Sequence, residues 1–253
     1  MVFSKKILDE KGFTMVEMLV ASVIGVIILA GTIYVFTTQE DLMRAENSST
    51  NIRAKGRQAM KTLSTELKMA GFGLPTTESF TAIGATSVTY RVNIDDIRTS
   101  TPPVSAGTAI TTSGTSAITV VDGSVFSDGE NIVIYNPSFG RSEYNTVDGS
   151  PTTSSIPLGS ALTNGYIASA NSKLVTVNKY NDVTLALSRT NITKTVDGGT
   201  ATILVSEVSG LAFNFYGVTE TTRVRRVGVT LNLQDTQDSS LTSTYKSDVV
   251  LRN

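Results

Sequence analysis

Glu17 is the residue whose placement asks for chemistry. It is the one acidic or basic side chain between Phe13 and Phe36, in a run of about 24 mostly apolar residues. A carboxylate among so many aliphatic groups is costly unless something neutralises it, and it marks a functional position. The run supplies no cation. Cleavage after Gly12 would create one, a new α-amine on Phe13, four residues before Glu17 and about 6 Å away along a helix axis. A neighbouring copy shifted axially by that distance would bring its amine to this carboxylate. Removing one member of a buried pair of this kind costs about 3–5 kcal/mol, so the pair would favour one stagger between copies over others.

Other chemistry is narrowed by composition. Among 253 residues there is no histidine and no cysteine. The usual imidazole base, thiolate nucleophiles, disulfides and the commonest metal ligands are therefore absent. The net charge of −1 offers no global attraction to nucleic acid or acidic lipid. No cofactor motif or phosphate-binding glycine loop is present, and the expectation is a non-catalytic protein without cofactor or metal. Asp122, Asp128, Glu130 and Asn131 could offer oxygens to calcium, but they lack the EF-hand spacing. Turn formation accounts for the two aspartates. Arg223, Arg225 and Arg226 form a small basic cluster on a predicted strand, which could bind an anion, a neighbouring subunit or DNA, or protect a sheet edge.

The elements that must position Glu17 follow from hydropathy. Residues 13–36 contain thirteen Leu, Ile, Val and Phe side chains. Together they favour insertion into a bilayer by about 4–8 kcal/mol, against about 2.5–3.5 for a central acid. The run is long enough to span. Lys5, Lys6 and Lys11 precede it and place the N-terminus on the cytoplasmic side. An ordinary secretory signal has a shorter apolar region and a small-residue cleavage site. Here Thr37-Thr38-Gln39-Glu40 follows without one, and Thr32 stands where a lipoprotein signal would need cysteine.

The helix is expected to continue to Ala70. Leu42, Ala45, Ser49, Ile52, Ala59, Leu63, Leu67 and Ala70 recur on one face, with Met60 beside them. The Ser48–Asn51 run and Gly56 weaken helix propensity. Gly71, Gly73 and Pro75 stop it. Gly25 and Gly31 permit close helix approach or local softness. Beyond Pro75 the chain alternates β-branched and polar residues, as in Val88-Thr89-Tyr90-Arg91-Val92 and Val227 to Leu233, with turn pairs such as Asp197-Gly198 between. The pattern predicts antiparallel sheet, in two sheets or one elaborated sheet, whose apolar face packs on the upper helix. Residues 100–116 and 146–165 read as long surface loops. The expected organisation is a leader (1–12), a membrane-spanning half-helix (13–36), an amphipathic upper helix and stop (37–74) and a β-rich head (75–253). The fold class is α+β: a long N-terminal helix packed on a large antiparallel β head.

Gly12-Phe13-Thr14-x-x-Glu17 after a short basic leader, followed by an apolar helix, resembles the class III signal of type IV pilins and type II secretion pseudopilins. The resemblance implies that a membrane prepilin peptidase cuts between Gly12 and Phe13 and N-methylates Phe13, and that Glu17 guides assembly through a neighbour's amine. Thr62 to Pro75 and the C-terminal Val249 to Asn253 are similar to PilW-type minor pilins and J-type pseudopilins. This implies a low-copy subunit of a type IV pilus tip or priming complex. Its partners would be other minor and major pilins, the peptidase, the inner-membrane assembly platform and the bilayer itself, with the head periplasmic and then at the cell surface. The J-type secretion pseudopilin is the near alternative, and a membrane-anchored β domain for binding or adhesion the more distant one. Many major pilins have a proline in the lower helix. None lies between Phe13 and Phe36 here, which leaves Gly25 as the softest point.

Overall fold

The computed structural model describes residues 12–75, 79–171, 173–236 and 238–251. Lys5, Lys6 and Lys11 lie outside the described residues. The chain is α+β: one long helix, Met15–Lys68, is followed by antiparallel sheet. It divides into two compact units, Met1–Asn51 and Ile52–Asn253, and the helix contributes to both. The division falls directly after the Ser48–Asn51 run, across which helical structure is unbroken.

In the first unit, Phe13 to Phe36 presents exposed apolar side chains on every face, among them Val16, Leu19, Ile27 and Phe36. In the second unit, the helical stripe of Ile52, Gly56, Ala59, Met60, Leu63 and Leu67 is buried. Leu42 and Ala45, at matching sequence positions further up the stripe, are exposed. Gly56 has a packing purpose that propensity alone does not show. A Cβ there would lie 2.1 Å from Cε2 of Tyr245, so the missing side chain makes room for that ring. The Tyr245 hydroxyl donates to the Ile52 carbonyl at 3.5 Å.

The helix ends at Lys68, two residues before the expected Ala70. Gly71 and Gly73 both have positive φ, and the turn they form is sewn to the sheet. The Gly71 amide donates to the Arg91 carbonyl, and the Asn93 amide to the Phe72 carbonyl. Glu66 fastens the last helical turns: its carboxylate accepts from Tyr90 at 3.1 Å and from Lys194 at 2.8 Å.

The β region is more divided than the alternation suggested. A five-stranded sheet runs in the order Phe80–Ile83, Ser87–Val92, Asn181–Ser188, Asn191–Val196, Thr202–Val205. A three-stranded sheet runs Val208–Asn214, Arg226–Gln234, Thr242–Val250. With the helix from Ile52 to Lys68 and the turn after it, these two sheets enclose a first hydrophobic core. A four-stranded sheet, Arg98–Ser100, Thr176–Lys179, Asn131–Asn136 and Arg141–Thr146, belongs with two small ribbons to a second core. The predicted surface loops 100–116 and 146–165 supply strands to those ribbons: Ala109–Thr111 pairs with Tyr166–Ile167, and Ser155–Pro157 with Ala117–Thr119. Ile156, Leu158 and Leu162 are buried there. Their few apolar side chains, set among Ser, Thr and Gly, hid the core from a reading by composition.

Candidate functional site

The N-terminal segment builds its local structure from two side chains. Thr14 stands just before the helix and Glu17 lies in its first turn. The Glu17 amide donates to Thr14 Oγ1 at 3.2 Å, while the Thr14 amide and hydroxyl donate to the Glu17 carboxylate at 2.9 and 3.0 Å. This reciprocal arrangement is a capping box, in which otherwise orphaned amides at a helix start are satisfied. It leaves residues 12–14 outside the helix, so the Gly12–Phe13 peptide bond lies in non-helical, exposed chain. Nothing lies within 4 Å of a Cβ added to Gly12. The chain's own packing therefore does not require glycine at that position. Gly25 and Gly31 are open in the same sense, so neither is explained by a contact within this chain.

The remaining candidate residues are engaged elsewhere. Asp122 accepts from the Ser124 amide and hydroxyl, which hold its carboxyl below the usual range. Asp128 accepts from the Gly149 amide at 2.7 Å, and Glu130 pairs with Lys179 at 2.9 Å. Among the described residues no group of three or more His, Cys, Asp or Glu could hold a metal ion. The three arginines also have local partners. Arg223 pairs with Glu220, and Arg225 donates to the Thr222 and Val224 carbonyls. Arg226 pairs with Asp248 and lies over the Tyr216 ring. Of the three only Arg226 lies on a strand, since Arg223 ends a short 3-10 turn and Arg225 precedes the strand; that strand is the central one of its sheet, so edge protection does not explain the cluster.

A cleft in the head, about 470 Å³, is lined by Thr190, Asn191, Ser206, Glu207, Gln234 and Asp235, among others. Glu207 is held there by Lys55 at 2.5 Å. Two side-chain groups escaped sequence reasoning. One is the Glu66–Tyr90–Lys194 cluster. The other is Arg91, whose guanidinium lies 3.9 Å from the Tyr144 ring centre and 4.9 Å from that of Tyr180, with Asp182 at 3.5 Å. Neither leaves a local pattern, because the partners come from distant strands.

Residues 8–33 match the model of the prokaryotic N-terminal methylation motif. No curated protein and no solved structure matches the chain. The helix that begins within the motif is long and apolar enough to cross a membrane, and its apolar window is wholly exposed. Motif and helix together support a membrane-anchored, type IV pilin-like or pseudopilin protein processed by prepilin peptidase, and the motif is one of structural proteins.

Proposed function

We propose that this chain is a minor pilin of a type IV pilus, a structural subunit of its tip or priming complex. The observation that carries this reading is the methylation motif at 8–33 leading into a helix whose apolar surface finds no cover in its own unit. Such a surface is satisfied by lipid first and by sister helices afterwards. The chain inserts with its leader in the cytoplasm and its head in the periplasm. The peptidase cuts after Gly12 and methylates Phe13. The helix then leaves the bilayer at the assembly platform and joins those of other pilins, with Glu17 paired to a neighbour's terminal amine and setting the stagger. Gly25 and Gly31 allow close approach in that bundle. A large head favours the tip, where it meets fewer neighbours than in a packed shaft.

A J-type pseudopilin of a type II secretion system would use the same motif and the same assembly chemistry. Mass spectrometry of the N-terminal peptide from native membranes tests the common part. The expected peptide begins at methylated Phe13, and an intact leader on the mature protein would refute processing. Recovery of the chain in sheared surface filaments distinguishes the pilus from a periplasmic pseudopilus.

A further inference from the structure

Ser87–Val92 and Asn181–Ser188 are adjacent antiparallel strands, and Val92 lies directly opposite Asn181. Two residues paired in this way are ordinarily joined by a two-residue turn. Here residues 93–180 stand between them. Among the described residues the two hydrophobic cores draw on different parts of the chain. The first draws on residues 52–92 and 183–251, and the second on residues from Ile97 to Val177. Hydrogen bonds close the intervening segment on itself: the Thr101 amide donates to the Val175 carbonyl near its start and end, and the Lys179 amide to the Ile97 carbonyl. Lys179 also ties Asp95 to Glu130, at 2.6 and 2.9 Å. At the joint, Arg91 of the five-stranded sheet lies on the edge-to-face pair Tyr144 and Tyr180, with Asp182 beside it.

We infer that residues 93–180 are an inserted module with its own cooperative core, separable from the helix-bearing part that anchors and assembles the chain. The host is the helix with the five- and three-stranded sheets, and it is complete as a hairpin-connected fold without the insert. Arg91 is the positioning residue that sets the module on its host. Separability from assembly rests on the pilin reading above; separability of folding does not.

Two experiments on the full-length chain decide this. In the first, 93–180 is replaced by Asn-Gly and the variant is purified in detergent micelles. The expected protein keeps a cooperative unfolding transition with Leu63 and Tyr245 amides protected from exchange, and it enters filaments at the parental level. A folded variant that fails to enter filaments overturns separability from assembly. The second keeps the inference testable if the first variant does not fold. Native-state hydrogen exchange is compared between the parent and Ile134→Ala, a truncation in the second core. Exchange of protected amides in 97–179 should rise by at least about tenfold, as a buried large-to-small change implies, while those around Leu63 and Leu231 change by less than about twofold. Equal acceleration in both cores would show one cooperative unit and overturn the inserted module. If the parent chain itself is neither processed nor assembled, the pilin reading falls, and the exchange result still decides the folding of the insert.

Discussion

One helix carries two kinds of apolar surface. From Phe13 to Phe36 it is apolar nearly all round and exposed; Leu29 and Phe36, for example, are 60% and 66% accessible. From Ile52 to Lys68 it is apolar on one stripe, and the stripe is covered, with Leu63 and Leu67 at 0%. The contrast teaches how a single element can carry two different packing demands. A stripe about 100° wide specifies a protein face to pack on, while a surface apolar on all sides asks for lipid or for several equivalent neighbours. The polar residues agree. Upper-half Glu66 and Lys55 have partners in the head, whereas among the described residues Glu17 is hydrogen-bonded to Thr14, three positions away.

The sharpest break of this comparison is Glu17→Ala. On the proposed function, membrane insertion persists, since the variant is more apolar, while incorporation into filaments is lost. Carbonate extraction and sheared-filament immunoblots measure the two, and normal incorporation would remove the role given to Glu17. Next in size is a matched pair of truncations, Leu63→Ala and Leu29→Ala. The first should destabilise the head by about 2–5 kcal/mol, and the second should leave it unchanged, as read from denaturant midpoints in micelles. Equal effects would mean that the two halves do not differ as described.

Gly56→Ala probes the notch beneath Tyr245. The added methyl forces the ring to move, at an expected cost of about 1–3 kcal/mol, whereas Gly25→Ala, in open space, should cost the head nothing. A stabilised Gly56→Ala head would show that helix propensity outweighs packing at that site. The smallest effect concerns pH. Burial, with Glu66 adding to it, raises the Tyr90 phenol above its ordinary value. The unfolded chain therefore loses this proton first. The Tyr90 contribution is intact below the ordinary phenol pKa of about 10 and declines as pH rises beyond it. Tyr90→Phe should flatten the alkaline fall in denaturant midpoint; an unchanged slope would assign that fall to other groups.

How much was legible in advance varied with the range of the interaction. The stop at Gly71, Gly73 and Pro75, the strand containing Val88, Tyr90 and Val92, and the Asp197-Gly198 turn were all readable, and the latter two residues do take positive φ. The alternation of apolar residues goes on to Ile94, yet that residue lies beyond the strand and is exposed, because the Asn93 amide is drawn to the Phe72 carbonyl instead. The arginine cluster misled because a strand's place in its sheet is not written in its own residues. Asp122, Asp128 and Glu130 are close in sequence, yet each is taken by a different partner.

By itself the amino-acid order determined the motif at the N-terminus, the length of the greasy run and the positions of several of the longer strands. These depend on side chains within a turn or two of one another, or on hydropathy summed along the chain. Only the tertiary structure decided that the sheets fall into two cores, that Val92 lies opposite Asn181, and that Gly56 is a seat for Tyr245. Each of those depends on groups brought together across a hundred residues or so, where the deciding quantity is fit between surfaces rather than any property of a local segment.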